Sequence, residues 1–194
     1  ACGGQPTEAP PATGDALYDA AKAEGMLTTI ALPQDWCNYG PVIDAFKAKY
    51  PGIEVNELNP DAGSGDEIEA IKANMTNKGP QAPDVVDVGF SFGETNKALF
   101  MPYKVSTWDT IPDDAKSADG YWYGDYYGVM AFLINTDVQP DVPQDWGDLL
   151  DPKYKGQVAQ SGDPRTSNQA IQAVQAAALA NGGVLRPATV LKRD

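Results

Sequence analysis

The fold is decided by the stretch M-L-T-T-I-A-L (residues 26–32), which lies between Gly25 and Pro33. A largely apolar run of this length, bounded by glycine and proline, is typical of a strand buried on both faces of a sheet. Before it, Gly14 and Asp15 predict the start of a short amphipathic helix that ends at Gly25. The run therefore predicts a buried strand that follows directly on a helix.

Helix and strand patterns continue to alternate after this strand. A second helix is predicted after Pro41, and I-E-V-N-E-L (residues 53–58) alternates as a strand does. A third helix precedes a third strand over residues 84–88. This order predicts parallel strands joined by right-handed crossovers. The third helix carries its apolar residues on one stripe: Ile68, Ile71 and Met75.

Sheets of this kind bind ligands beyond the carboxyl ends of their strands. Two predicted loops, residues 33–40 and 89–93, leave those ends with aromatic and hydrogen-bonding side chains. Any one of these residues could instead cap a helix or pack locally, as Asn38 could at the start of the second helix. The candidate ligand-binding residues of the two loops are Asp35, Trp36, Asn38, Tyr39, Ser91 and Phe92.

Composition excludes several classes of function. The 194 residues include 27 acids, 14 bases and no histidine, for a formal net charge of −13. Such a surface repels nucleic acid, so no nucleic-acid partner is predicted. The absence of histidine excludes Ser-His-Asp and Cys-His catalysis and every metal site that needs an imidazole. No catalytic residue, metal site or cofactor is predicted, and no apolar run is long enough to span a bilayer.

The stretch G-D-P-R-T-S-N-Q-A-I (residues 162–171) predicts the start of an alanine-rich helix that stops at Asn181 and Gly182. A serine or threonine at such a start caps the helix. The free backbone N–H groups of a helix N-terminus also bind anions, and Arg165 could add a bidentate grip on a carboxylate or phosphate. Asp163 could instead pair with Arg165 or hold a ligand ammonium group. The candidates are Asp163, Arg165, Thr166, Ser167 and Asn168.

A series of motifs spans nearly the whole chain: E-G-M-L-T, V-I-D-A-F-K-A-K-Y-P-G-I-E-V, P-D-V-V-D-V, G-D-Y-Y-G-V-M-A-F-L-I-N-T-D, D-W-G-D-L-L-D-P-K-Y-K-G and D-P-R-T-S. In this order they resemble the extracellular solute-binding proteins of ATP-driven importers. The branch that they resemble serves ferric iron, polyamines and phosphorylated or phosphonate-type solutes.

This resemblance implies an α/β fold of the periplasmic-binding-protein-like type II, with two α/β lobes, a hinge and an incomplete second lobe. Ligand would lie between the lobes, which close on binding. Residues 15–130 would form lobe one with the crossover, and residues 131–183 the start of lobe two. A strand over residues 126–138 would cross between them. Tyr126 and Tyr127 join the ligand-binding candidates, although this aromatic segment could equally be packed into the core.

The two ends of the chain depart from the middle. Residues 1–14 (A-C-G-G-Q-P-T-E-A-P-P-A-T-G) are predicted to be a tether, and Cys2 resembles the acylated cysteine of a bacterial lipoprotein. A disulfide between Cys2 and Cys37 is the alternative. Residues 184–194 form a basic, atypical tail where relatives continue with lobe two. This departure predicts a truncated or frame-shifted chain.

The predicted function is that of a monomeric, lipid-anchored, extracytoplasmic protein that binds a small solute and delivers it to a membrane permease. The predicted solute is ferric iron, a polyamine or a molecule that bears phosphate or phosphonate. An exported hydrolase with paired carboxylates is one alternative, since acids are plentiful. A cell-surface adhesion module without a small ligand is another.

Overall fold

The computed structural model describes residues 14–77 and 79–184. The first helix, α1, covers Asp15–Glu24 and ends at Gly25, which adopts the left-handed conformation (φ 80°) that glycine tolerates best. The strands are β1 (Met26–Ile30), β2 (Glu54–Leu58) and β3 (Val85–Val86). The further α-helices are α2 (Tyr39–Lys49), α3 (Ser64–Asn74), α4 (Phe90–Thr95) and α5 (Asn168–Ala180). Short 3₁₀ turns lie at Lys97–Leu99, Trp108–Thr110, Asp113–Ala115, Trp146–Leu150 and Pro152–Tyr154.

The three strands form a parallel sheet in the order β2-β1-β3. Met26 pairs with Glu54 at one end of the β1–β2 ladder, and Ile30 pairs with Leu58 at the other. On its other side, Ile30 pairs with Val86. Because β1 is central, its second half (residues 28–30) is buried. The α/β fold with a parallel sheet and a buried first strand, which the sequence predicts, is therefore confirmed.

The core lies between α3, α4 and α5. Ile68, Phe92 and Ile171 form a buried apolar cluster, 3%, 6% and 6% exposed. Partly buried side chains on its rim include Val88 and Leu99. Helix α5 thus packs on α3 and α4, although its residues fall in the segment assigned to the second lobe. The lobe boundaries themselves stay predictions.

Several predicted boundaries are wrong in detail. Helix α2 begins at Tyr39 rather than after Pro41, because proline is tolerated in the first turn, where no backbone N–H is needed. Strand β3 is limited to two residues. Residues 89–93, predicted as a loop, enter helix α4, in which the N–H groups of Phe92 and Gly93 donate to the Gly89 carbonyl. Met75 lies past the end of α3 and is 68% exposed.

The predicted crossover strand over residues 126–138 is also wrong. Among the described residues, positions 124–135 form neither helix nor strand, and Tyr127 and Leu133 are 94% and 102% exposed. An apolar segment becomes a strand only when a neighbouring strand supplies N–H and C=O partners. In the described part of the chain no strand lies beside this segment. The segment is therefore apolar in sequence but does not form a strand.

Some hypotheses fall on residues that the structure does not describe. Cys2 and most of the predicted tether lie outside the described residues, so the lipid anchor and the Cys2–Cys37 disulfide stay predictions. Nearly all of the predicted atypical tail lies outside them as well. Among the described helices, none has the length and hydropathy that crossing a membrane requires.

Candidate ligand-binding site

A cleft of about 300 Å³ opens at the carboxyl edge of the sheet. Ala31 and Asn59 turn the chain away from the sheet directly after β1 and β2, with left-handed φ values of 59° and 38°. The loops that leave all three strands therefore reach the same edge, where Tyr126 and the start of α5 meet them. The lining residues are Ala31, Pro33, Trp36, Pro60, Asp61, Ala62, Gly63, Ser64, Glu67, Asp87, Gly89, Tyr126, Asn168 and Gln169.

One wall of the cleft combines aromatic rings with carboxyl groups. The Tyr126 ring meets the Trp36 ring edge to face, with centroids 6.3 Å apart. The Tyr126 hydroxyl lies 3.3 Å from Asp87 Oδ2, and the Tyr39 hydroxyl lies 3.0 Å from the same oxygen. Tyr39 also donates to Asp125 Oδ2 at 2.5 Å. This wall therefore offers flat apolar surface beside hydrogen-bonding oxygens.

Burial shifts the pKa values of this wall. It raises the pKa of Asp87 above its ordinary range, and the hydrogen bond from Tyr39 partly opposes that shift. Burial, with the nearby Asp87 charge, raises the pKa of Tyr126 to about 12. The pKa of Tyr39 rises further for the same reasons, because it contacts both Asp87 and Asp125. The two phenols therefore remain hydroxyl donors at neutral pH.

The floor of the cleft contains Glu67, on the first turns of α3. Its side chain is fully buried, at 0% exposure, and its Oε2 accepts the Asp87 backbone N–H at 2.7 Å. Its other oxygen, Oε1, has no hydrogen-bond partner among the described residues. Burial raises the pKa of Glu67 to about 9, against the smaller effect of the Asp87 N–H. Glu67 is therefore a neutral carboxylic acid at neutral pH.

Asn168, the first residue of α5, packs over Gly89 at the exit of β3. A Cβ atom on Gly89 would lie 2.1 Å from Asn168 Cγ, so only glycine fits beneath this side chain. The Gly89 N–H is satisfied by Ser64 Oγ at 3.0 Å. Asn168 Oδ1 is buried and has no hydrogen-bond partner among the described residues. Two buried side-chain oxygens, from α3 and α5, are thus unpartnered in the lining of one cleft.

The residues directly before α5 cap the helix and pair with one another rather than line the cleft. Ser167 is the N-cap, and its Oγ accepts the Ala170 N–H at 3.3 Å. The Thr166 carbonyl accepts the Gly65 N–H at 3.1 Å and so satisfies the start of α3. Arg165 Nε donates to both Asp163 carboxyl oxygens, at 2.9 and 3.0 Å. Arg165 is therefore paired within its own turn and does not line the cleft.

The structure brings only some of the sequence candidates to the cleft. Trp36, Tyr126 and Asn168 line it, and Tyr39 contacts its Asp87. Phe92 and Ser91 are buried in and beside the core cluster instead. The Asn38 side chain does not cap α2, although Asn38 occupies the N-cap position. The remaining candidates, which the cleft lining does not include, are Asp35, Asn38, Tyr127, Asp163, Thr166 and Ser167.

Other lining residues were not among the candidates. Asp61 lies in the loop after β2. The sequence could have indicated this residue, since that loop also leaves the carboxyl end of a strand. Asp87 was assigned to the third strand, which ends one residue earlier. Nothing in the sequence indicates that Glu67 belongs to the site, because an acidic residue near the start of a helix is usually exposed to solvent. Among the described residues, no group of three or more histidine, cysteine or acidic side chains is arranged to hold a metal ion.

Comparison with known proteins shows the family of the chain. A family model described as bacterial extracellular solute-binding protein matches residues 80–191, more than half of the 194-residue chain. Iron uptake protein A1 of Synechocystis sp. is 28% identical over 125 residues, covering 63% of this chain and 34% of that protein. An uncharacterized protein of Haemophilus influenzae is 30% identical over 181 residues, covering 84% of this chain and 48% of that protein.

The chain therefore spans between about a third and about half of the length of these curated relatives. The matched segment includes Asp87, Gly89, Tyr126 and Asn168 of the cleft. The small parallel sheet with its flanking helices corresponds to part of a periplasmic-binding-protein-like fold. On this evidence, the chain belongs to the family of bacterial extracellular solute-binding proteins.

Proposed function

We propose that the chain captures a small solute in the cleft at the carboxyl edge of its sheet and delivers it to the permease of an ATP-driven importer. The observation that carries this proposal is the meeting of three strand exits, an aromatic pair and two buried unpartnered oxygens in one cleft. Small-molecule sites combine apolar walls with a few polar groups in this way. Family membership supports a transport role rather than catalysis.

The charge of the cleft favours a cationic solute. Its lining includes the carboxyl groups of Asp61 and Asp87 beside the neutral acid of Glu67 and, within the described chain, no lysine or arginine. Arg165, the sequence-based argument for an anion, is occupied by Asp163. The N–H groups of Gly65 and Ala170 at the two helix starts already have acceptors, which weakens an anion site there. Of the predicted solutes, a polyamine or ferric iron is therefore favoured over a phosphate or phosphonate.

The iron-uptake relative supports ferric iron as one candidate within this class. We further propose the extracytoplasmic location and the lipid anchor at Cys2, which lies outside the described residues. Mass spectrometry of the native protein tests the anchor, because an unmodified Cys2 thiol would contradict it. An adhesion module without a small ligand has no need of the aromatic cleft.

The solute is identified by calorimetry and thermal shift on the full chain. The probes are ferric citrate, putrescine, glucose 6-phosphate and methylphosphonate. We expect a cationic probe to bind, and Trp36→Ala to weaken its binding at least about tenfold by removing the aromatic wall. Trp146→Ala is the matched control, since Trp146 packs on Phe132 (centroids 4.8 Å apart), outside the cleft lining.

Two results would count against these proposals. Binding of the phosphorylated probes alone would contradict the charge argument. Failure of all four probes to bind the wild-type chain would contradict solute capture in this cleft.

A further inference from the structure

We propose that Glu67 selects the solute: its unpartnered Oε1 binds a positively charged N–H donor, and its carboxyl group releases a proton to solvent when that donor arrives. This inference rests on the proposed function, because it assigns the chemistry of the same cleft. It goes beyond that function by naming the selecting residue and by coupling binding to one proton.

The geometry of Glu67 is the first support. The side chain has 0% exposure and Glu67 is part of the cleft lining, so a solute that enters the cleft lies next to this residue. A buried oxygen without a partner is costly, typically by about 1–3 kcal/mol. Oε2 is held by the Asp87 N–H at 2.7 Å, which fixes the carboxyl plane and leaves Oε1 free. The floor therefore offers a prepared hydrogen-bond site that a ligand can complete.

The charges around Glu67 are the second support. Asp66 precedes it on α3, Asp87 faces it from the exit of β3, and Asp61 lies in the same cleft lining. Tyr39 and Asp125 belong to the same hydrogen-bonded network, since the Tyr39 hydroxyl contacts both Asp87 and Asp125. Tyr126 contacts Asp87 as well. Of these groups, the Asp87 and Asp66 charges oppose ionisation of Glu67, and none of the named groups is a cation that would favour it.

A bound cation reverses this balance. Its charge stabilises the carboxylate at short range, and more strongly than in water because Glu67 itself is buried, which lowers the pKa of Glu67 from about 9. The O–H bond of the acid breaks, the proton passes to solvent, and both electrons of that bond remain on Oε1 to accept the ligand N–H. A cation thereby binds to the ionised carboxylate of Glu67. An anionic solute finds no positive charge on this carboxyl group.

The test uses the full chain with putrescine as the probe at pH 7. Calorimetry in two buffers of different ionisation enthalpy counts the protons released on binding, and we expect close to one. In Glu67→Gln the amide oxygen replaces Oε2 as the acceptor from Asp87, and the NH₂ group faces the cation. We expect this variant to bind at least about tenfold more weakly and to release no proton. Glu69→Gln on the same helix is the matched control, because Glu69 is exposed and forms a salt bridge with Lys72.

Infrared spectroscopy tests the inference on the wild-type chain alone, so the result does not depend on whether a variant folds. The wild-type chain is expected to show a protonated-carboxyl band that fades as putrescine saturates the cleft. Equal affinity and equal proton release in wild type and Glu67→Gln would overturn the inference, as would a band that putrescine leaves unchanged. Binding of ferric citrate or phosphorylated probes without putrescine would overturn it while leaving solute capture intact. Failure of every probe to bind wild type would instead overturn the proposed function and this inference with it.

Discussion

The sheet region (residues 26–99) and the turn-rich region (residues 100–167) are built on different physical principles. The sheet region contains the parallel strands, α2 to α4 and most of the buried apolar residues. The turn-rich region contains short 3₁₀ turns and one isolated bridge, between Lys116 and Tyr123. Many of its large apolar side chains are exposed, including Val129 and Leu133 at 86% and 102%.

The turn-rich region is organised by polar and aromatic contacts rather than by an apolar core. Lys116, only 8% exposed, donates through Nζ to the Trp108 and Ile111 carbonyls at 2.9 and 2.7 Å. The same group lies 4.6 Å from the Trp108 ring centroid, and that ring packs edge to face on Tyr123. The comparison teaches that the sheet region positions the cleft, while the turn-rich region contributes Tyr126 to it.

The largest expected difference concerns apolar truncation. Ile68→Ala removes a side chain that is 3% exposed in the core cluster, so we expect the free energy of unfolding to fall by about 2–5 kcal/mol. Leu133→Ala in the turn-rich region removes a fully exposed side chain and should change it by no more than about 0.5 kcal/mol. Urea unfolding followed by circular dichroism measures both. Equal losses would mean that Leu133 is packed and that the contrast between the regions is wrong.

A smaller difference is expected for added methyl groups. In Gly89→Ala the new Cβ meets Asn168 Cβ at 2.6 Å, so rotation of the Asn168 side chain cannot relieve the clash and α5 must move. We expect a loss of about 1–3 kcal/mol in unfolding free energy. Gly128→Ala is the control in the turn-rich region, because its Cβ would have no heavy atom within 4 Å. Thermal and urea unfolding compare the two variants, and a neutral Gly89→Ala would contradict the close packing of α5 on the exit of β3.

The pH dependence of stability sharpens the comparison further. The native pKa of Glu67 is raised from 4.5 to about 9, so between these values the native state holds a proton that the unfolded state has lost. The free energy of unfolding should therefore fall as pH rises through this window, by about 1.4 kcal/mol per unit at most relative to Glu67→Gln. Urea titrations from pH 5 to pH 9 measure the difference. Parallel pH profiles for the two proteins would show that Glu67 is ionised in the native state.

Asp119 in the turn-rich region should behave in the opposite way. The hydrogen bond from Lys97 holds the pKa of Asp119 below its usual value of 3.8. Its contribution to stability is thus present above that pH and is lost as the pH falls through the native pKa. The Asp119→Asn variant should differ from wild type in its pH profile only under acidic conditions.

Much of the secondary structure was predictable because its signals are local. Gly25 ends α1 in the left-handed conformation, and Ser167 caps α5, as their residue types indicate. The three strands and their parallel order follow from the alternation of apolar runs with helical periodicity. By contrast, the predicted strand over residues 126–138 failed, because strand formation depends on a partner that a local apolar pattern does not specify. Of the candidate site, the sequence predicts Trp36, Tyr126 and Asn168, but it does not predict Asp61, Glu67 and Asp87.

By itself, the sequence determined the α/β class, the parallel sheet and the edge at which a ligand would lie, since periodicity and strand direction are properties of neighbouring residues. Only the tertiary structure decided which side chains share the cleft. It paired Arg165 with Asp163 and directed Phe92 into the core. It also buried Glu67 beneath the exit of β3 with one oxygen unsatisfied. Burial and pairing depend on contacts between residues far apart in the chain, and these contacts are what convert an ordinary helical glutamate into a neutral acid at the floor of the cleft.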